Sequence, residues 1–229
     1  MKQYIRSLRL FTAQYTITTM LQLLAVFAVS YAVIGIMGAG SSFFAESNPD
    51  SFFAGFVSSF VPGCTIMIPL FGVFLLNAIY SYNMPITPGY KYLHSVADSA
   101  KHFKRAIIAT NVIAIVIGVL GSLINWALTI WIGDLILSPI ASLAVCLGGI
   151  GLANFTGYLK STAARLISIM PMCAVVGFVV GFTAAAEEDG ELGISDNAFL
   201  IVLAVTAVIA VAGFVFSMLV CEKKWRADK

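Results

Sequence analysis

Residues 101–129 read KHFKRAIIATNVIAIVIGVLGSLINWALT, a basic cluster followed from residue 106 by an uncharged and mainly apolar run. A helix needs about 20 apolar residues to cross the hydrocarbon core of a bilayer, so this run predicts a transmembrane helix. The composition agrees, because 60% of the 229 residues are hydrophobic and only 10% are charged. Water-soluble domains carry about a quarter of their residues as charged side chains. The sequence therefore indicates an integral membrane protein.

Other apolar runs have a similar length. The six predicted spans cover residues 16–38, 55–82, 106–129, 136–158, 164–186 and 197–221. Residues 1–15 precede them and place apolar side chains at helical spacing opposite basic ones, which indicates an amphipathic helix in the inner membrane interface or, alternatively, the basic start of a long first span. We expect an all-α membrane protein with a single transmembrane domain over residues 1–229, an interfacial helix at 1–15, and a short cytoplasmic helix between spans two and three.

The charged residues are distributed asymmetrically. All 13 Lys and Arg residues lie on one side of the six predicted spans, and eight of the 11 Asp and Glu residues lie on the other. Loops that remain in the cytoplasm retain Lys and Arg. The pattern predicts an integral multi-pass protein of the cell (plasma) membrane whose N- and C-termini are both cytoplasmic.

The middle of each predicted span contains no ionisable side chain. Intramembrane hydrolases and proton-coupled transporters keep Asp, Glu, His or Lys there for chemistry, although these groups are costly in lipid. The chain also has neither a His-Glu-x-x-His motif nor a phosphate-binding G-x-x-x-x-G-K-[ST] loop. We therefore expect no catalytic residues, no metal site and no cofactor in this chain, and it is not predicted to be an enzyme.

Uncharged polar residues do occur within the spans. Asn77, Asn111 and Asn125 are candidates for lining a permeation pathway. The alternative is that they hydrogen-bond between helices, because polar side chains in lipid turn toward the interior of a bundle in either case. The sequence leaves both alternatives open.

The loop after the second span is long, polar and rich in turn residues. Pro85 and Pro88 interrupt helical geometry as the chain leaves the membrane. Ser95-Val96-Ala97-Asp98 then resembles a capping box, which predicts Ser95 as the N-cap of a helix that continues into span three. The segment 85–94 is thus expected to be a short cytoplasmic element between two membrane helices.

Residues 83–93, NMPITPGYKYL, resemble the first cytoplasmic loop of type-2 ATP-binding-cassette (ABC) transporter permeases. In those proteins a hydrophobic-Pro-hydrophobic-Ser/Thr run leaves the second span and a Lys follows, although many members have Arg or Lys where this chain has Pro88. The plan of six spans after an N-terminal interfacial helix is similar as well. In such permeases this loop forms a coupling helix that is seated in a groove of a separate ATPase subunit. The residues that match it by position are Ile86, Thr87, Tyr90, Lys91 and Tyr92.

The resemblance implies a permease subunit of an ABC transporter that exports a peptide or another amphipathic compound. ATP and Mg would be bound by separate nucleotide-binding ATPase subunits, and a second permease half would complete a homodimer or a heterodimer. Membrane lipid is an expected partner and nucleic acid is not. The alternative is a non-transporting membrane scaffold or sensor that docks a cytosolic partner through its 85–94 loop. An adjacent ATPase gene would favour the permease.

Cysteine labelling tests the predicted topology. Single cysteines at Ser47, Gly133 and Gly190 in a cysteine-free background are expected to react with an impermeant maleimide added to intact cells, because these loops lack Lys and Arg. Cysteines at Ser95 and Ala227 should stay unlabelled until the cells are opened. Labelling at Ser95 in intact cells would contradict the topology.

Overall fold

The computed structural model describes residues 2–11, 89–132, 139–157 and 196–227, together with single positions within 21–36, 73–80 and 159–164. The helices of the continuous segments are α1 (Lys2–Phe11), α2 (Tyr90–Ser95), α3 (Ser99–Ile132), α4 (Pro139–Thr156) and α5 (Asp196–Ala227). The single positions described within 21–36 and 73–80 are helical as well. No strand occurs among these residues, which confirms the predicted all-α class for the part of the chain that they cover.

Two helices are long and apolar enough to cross a membrane, over Ser99–Ala127 and Leu200–Arg226. They belong to α3 and α5, which contain the predicted spans 106–129 and 197–221. The predicted span 136–158 corresponds to the shorter apolar helix α4. The remaining predicted spans, 16–38, 55–82 and 164–186, lie largely outside the described residues.

Helix α3 begins at Ser99, four residues after the predicted N-cap. Ser95 is instead the last residue of α2, and its hydroxyl donates a hydrogen bond of 2.7 Å to the Tyr92 carbonyl oxygen. Asp98 precedes α3 with a left-handed φ of 56°, which Asp tolerates better than most residues, and its carbonyl oxygen accepts the Lys101 N–H at 2.9 Å. The predicted role of Ser95 is therefore wrong, because its hydroxyl is committed to the preceding helix.

The arrangement of the helices collects the basic residues at one end of a bundle. Helices α3 and α4 are antiparallel, since Asn125 lies beside Ser142 near one end of the pair and Asn111 lies beside Asn154 near the other. The start of α3 meets the end of α5, and α1 and α2 pack against both at the same place. Every Lys and Arg of the five helices belongs to this end, which we call the basic end.

Glycines allow α4 and α5 to touch backbone to backbone. A Cβ atom added to Gly151 would lie 2.7 Å from the Ile209 carbonyl oxygen, and one added to Gly213 would lie 2.5 Å from the Gly151 carbonyl oxygen. Gly148 has more room, because its added Cβ would lie 3.5 Å from the Thr206 methyl carbon and 3.9 Å from the Thr206 Cβ, which are ordinary van der Waals distances. These pairings follow the same order along both helices, so α4 and α5 are parallel. Small residues permit such an approach in lipid, where helix association depends on close packing.

Gly151→Ala is expected to lower the unfolding temperature of the protein in detergent. The new methyl group collides with a backbone atom that cannot rotate away, and overpacking of this kind costs about 1–3 kcal/mol. Gly148→Ala in the same helix is the matched control, because it gains the same helix propensity of about 1 kcal/mol without a collision. Equal unfolding temperatures for the two variants would show that α4 and α5 are not in backbone contact at Gly151.

Candidate functional site

An aromatic cluster at the basic end is centred on Trp225, which is completely buried near the end of α5. Its indole stacks against Phe103 of α3, with ring centroids 4.6 Å apart and planes at 16°, and against His94 of α2, at 3.8 Å and 21°. Phe11 of α1 and Tyr90 of α2 pack against the indole at steep angles, with centroids 5.6 and 6.0 Å away. One side chain thus joins four helices.

The indole N–H of Trp225 also has a partner within the bundle. Its Nε1 donates a hydrogen bond of 3.2 Å to the Oγ of Ser99, the buried first residue of α3. A buried donor without an acceptor costs about 1–3 kcal/mol of stability, so this hydrogen bond avoids that cost for the buried indole. It fixes the last turns of α5 against the first turn of α3.

Helix α2 has six residues and two different faces. It follows Gly89, whose φ of 92° lies in the left-handed region that glycine adopts most readily, and the Gly89 carbonyl oxygen accepts the Leu93 N–H at 2.9 Å. Tyr90 and Leu93 are buried, whereas Lys91 is exposed and Tyr92 is 67% exposed. A helix of this length is not stable alone, so packing in the aromatic cluster holds α2 in place.

The structure separates the residues that match a coupling helix by position. Tyr90 packs inside the aromatic cluster of its own chain, while Lys91 and Tyr92 are exposed. Ile86 and Thr87 lie outside the described residues. Positions two apart on a helix point about 200° away from each other, so Tyr90 and Tyr92 do not enter the same groove. Binding of an ATPase subunit by this segment stays a prediction, and Tyr92 is the ring available for it.

A side-chain hydrogen bond fastens α1 to α3. Ser7 Oγ lies 2.9 Å from His102 Nδ1 and donates its single hydrogen to the Gln3 carbonyl oxygen, also at 2.9 Å. His102 Nδ1 therefore carries a hydrogen and donates it to the hydroxyl oxygen. Phe11 packs on Phe103 one turn further along α1, with ring centroids 5.2 Å apart. Helical spacing predicts that α1 is amphipathic but does not indicate this contact, which joins residues 95 positions apart.

A buried polar network lies between the helices, further from the basic end. Tyr80 Oη donates its only hydrogen to Asn154 Oδ1 at 2.6 Å, so Ser217 Oγ donates to Tyr80 Oη, also at 2.6 Å. Asn154 and Asn111 exchange amide hydrogen bonds of 2.7 and 3.3 Å. All four side chains are at most 4% exposed. Tyr80 lies near the end of the predicted span 55–82, so the network joins that region to α3, α4 and α5.

The residues considered for a permeation pathway have different surroundings. Asn111 belongs to the polar network, and Asn125 is completely buried and donates to Ser142 Oγ at 3.0 Å. Asn77 is half-buried. For Asn111 and Asn125 these contacts support the packing alternative, in which each bond between helices contributes about 1 kcal/mol or less. A role in lining a pathway stays a prediction.

The outer surface of the basic end is strongly cationic. Its exposed basic residues are Lys2, Arg6, Arg9, Lys91, Lys101, Lys223 and Arg226. The carboxylate of Asp98 lies 3.6 Å from the Lys101 ammonium group. An open depression of about 240 Å³ lies beside this pair, and Arg226 also lines it. Anionic groups on a protein partner or on lipid complement such a surface.

The described residues include no group of three or more His, Cys, Asp or Glu side chains that could hold a metal ion. No protein-family model, curated protein or solved structure matches the chain. The geometry of the basic end and the residues of the 85–94 segment are therefore the grounds on which a function can be proposed.

Trp225→Ala is expected to loosen α2 and the end of α5, because truncating a buried Trp costs about 3–5 kcal/mol. Backbone hydrogen exchange over residues 90–95 should become at least about tenfold faster, since each 1.4 kcal/mol of opening free energy is a factor of ten. Trp126→Ala is the control, because it removes the same side chain from a position that is 57% exposed. If exchange in α2 is the same in both variants, the aromatic cluster does not hold α2.

Proposed function

We propose that the chain is a transmembrane permease subunit of an ABC transporter, an exporter of a peptide or another amphipathic compound that separate ATPase subunits drive. The observation that carries the proposal is the construction of α2. This short helix directly precedes α3, is anchored through Trp225, and presents Tyr92 and Lys91 outward. A helix that transmits a displacement needs both an exposed face for the partner and a firm attachment to membrane helices.

The anchor of α2 determines which helices respond to a partner. His94 and Phe103 both stack on Trp225, so a displaced α2 takes the first turn of α3 and the last turn of α5 with it. Close-packed rings transmit displacement because there is no void between them to absorb it. In the proposed cycle, the ATPase subunits close on ATP and Mg, displace α2, and tilt the membrane helices so that a path opens outward. Such coupling requires contacts that differ between the two states.

The exposed side chains around α2 suit a protein partner. Exposed aromatic residues that become buried on binding contribute much of the energy of many interfaces, and Tyr92 is such a residue. Lys91 is the exposed neighbour of Tyr92 in the sequence, and Lys101 and Arg226 are exposed at the same basic end, which favours a groove with acidic groups at its rim. ATP and Mg belong to the partner, because the chain has no phosphate-binding loop of its own.

The charge distribution supports the proposed orientation in the plasma membrane. The basic end collects every Lys and Arg of the five helices, and cytoplasmic segments are the ones that retain these residues. Both termini are accordingly proposed to be cytoplasmic, with α1 in the inner membrane interface. A second permease half, identical or different, completes the transporter, and nucleic acid is not a proposed ligand.

A non-transporting scaffold or sensor is the second candidate. It is favoured by the polar network, since Asn111 and Asn154 use their amide groups on each other and on backbone carbonyl oxygens of their own helices. Side chains engaged in this way stabilise a bundle without lining a path. Such a protein would use the Tyr92 face of α2 to dock a cytosolic partner, but it would not couple that contact to transport.

Tyr92→Ala is expected to weaken binding of the ATPase subunit by about 30-fold, because an aromatic anchor at an interface contributes about 2 kcal/mol. The unfolding temperature of the chain should not change, since Tyr92 contacts solvent in the free subunit. Tyr92→Phe keeps the ring and should keep binding. Tyr90→Ala should instead lower the unfolding temperature, because this ring is buried within the chain.

Purification in mild detergent, followed by identification of the co-purifying subunits and measurement of their ATP hydrolysis, checks these expectations. A stable monomer that recruits no nucleotide-binding subunit under several extraction conditions would eliminate the permease and favour the scaffold. If an ATPase does co-purify and Tyr92→Ala changes neither its binding nor ATP turnover, α2 is not the coupling element.

A further inference from the structure

Helix α1 presents three cations in a single row on its outer surface. Lys2, Arg6 and Arg9 lie within about 60° of one another at 100° per residue, and all three are exposed. The helix contains no acidic side chain. The row is therefore not neutralised from within its own helix, and it attracts anions.

The other sides of α1 divide into a covered part and an uncovered part. Ser7 and Phe11 are buried against α3, approximately opposite the cationic row. Tyr4 and Ile5 lie between this contact and the cationic row, on one side of the helix, and remain 39% and 48% exposed. The helix thus combines a row of cations with large apolar side chains that the rest of the chain leaves uncovered.

The contacts with α3 place α1 at a defined level along the bundle. Ser7 bonds to His102 and Phe11 packs on Phe103, while Arg105 is the last charged residue of α3. From residue 106 onward α3 is uncharged, and residue 106 lies about 6 Å beyond His102 at a rise of 1.5 Å per residue. With α3 in a bilayer, α1 therefore lies at the level of the lipid headgroups.

We propose that this face of α1 binds anionic phospholipid of the inner leaflet. Lys2, Arg6 and Arg9 contact headgroup phosphate, for which the two parallel N–H donors of each Arg are well suited. Ile5 and Tyr4 enter the boundary between headgroups and acyl chains, as the apolar faces of interfacial helices do. An acidic protein partner would also complement the cations. It would not explain why the apolar side chain of Ile5 is exposed at the depth of the headgroups. The inference requires α3 to lie in a membrane and is independent of any ATPase partner.

Lipid affinity of the purified full-length chain tests the cationic row. Native mass spectrometry in detergent, with phosphatidylglycerol or phosphatidylcholine added, gives the affinity for each lipid. The unmodified chain is expected to prefer phosphatidylglycerol. The triple variant Lys2→Gln/Arg6→Gln/Arg9→Gln should bind it about 100-fold more weakly, because each cation near an anionic surface contributes about a factor of five. Its affinity for phosphatidylcholine should not change.

A second triple variant serves as the matched control. Lys91→Gln/Lys101→Gln/Lys223→Gln removes the same number of exposed cations from the same end of the bundle. It should weaken phosphatidylglycerol binding by less than about threefold, because none of these cations belongs to the row on α1 and Lys101 already has the Asp98 carboxylate as a partner. Thermal unfolding of both triple variants verifies that each remains folded.

A fluorescent probe tests the depth of the apolar side chains. An environment-sensitive fluorophore is attached to Ile5→Cys, or to Ala97→Cys as an exposed control, after the four native cysteines are replaced by Ala. In vesicles of phosphatidylcholine with phosphatidylglycerol, nitroxide-labelled lipid should quench the probe at residue 5. Aqueous iodide should quench the probe at residue 97 instead.

Three results would each overturn the proposal. Equal loss of phosphatidylglycerol binding in the two triple variants would show that the lipid is attracted by the overall positive charge of the basic end and has no specific site on α1. Displacement of the lipid by inorganic phosphate at equal concentration would show an ion site without an apolar component. Equal iodide quenching at residues 5 and 97 would place α1 outside the bilayer and make an acidic protein its partner.

Discussion

The burial of Trp225 is the contact on which the arrangement of the basic end depends. Its sequence neighbours Lys223, Lys224 and Arg226 are charged, and a helix end of this composition ordinarily lies in solvent. Removing an indole surface of about 200 Å² from water contributes about 5 kcal/mol before the entropy of ordering is subtracted. This contribution is complete only when α1, α2 and α3 all supply rings. One side chain thereby sets the relative positions of four helices.

The polar network fixes the same helices at a second level. Asn111 follows Phe103 by eight residues and Ser217 precedes the buried indole by eight, so both lie about 12 Å from the aromatic cluster along their helices. The ring of Tyr80 is close enough to Gly157 that an added Cβ atom would lie 2.5 Å from it. Ring packing at one level and hydrogen bonds at the next make this part of the bundle stiff, because a broken hydrogen bond in apolar surroundings leaves its groups unsatisfied.

Apolar runs and helical spacing are local properties, which is why the sequence predicts α1, α3, α4 and α5 with boundaries that differ from the observed ones by at most seven residues. Contacts between distant residues leave no such pattern, and nothing near Trp225 indicates its bond to Ser99, 126 positions earlier. The N-cap at Ser95 fails for a related reason, since whether that hydroxyl opens one helix or closes another depends on the tertiary position of α2. That Tyr90 and Tyr92 face different surroundings could have been predicted from the sequence, because the helical period alone separates the two rings by about 200°.

A stiff basic end restricts how the protein can respond to a partner. Displacing α2 alone would open a cavity beside the indole of Trp225, and cavities in a packed core cost several kcal/mol. Moving α2 together with the adjoining ends of α3 and α5 leaves the aromatic cluster intact. The contacts that change are then those on the lateral surfaces of the bundle, where aliphatic side chains such as Val116 and Val208 are exposed. A permease requires two alternative packings of these lateral surfaces, against a second half or against lipid. A scaffold requires only one. Both proposed functions would use the exposed Tyr92 in the same way, so what would distinguish them physically is the number of stable arrangements of α3 and α5 against their neighbours.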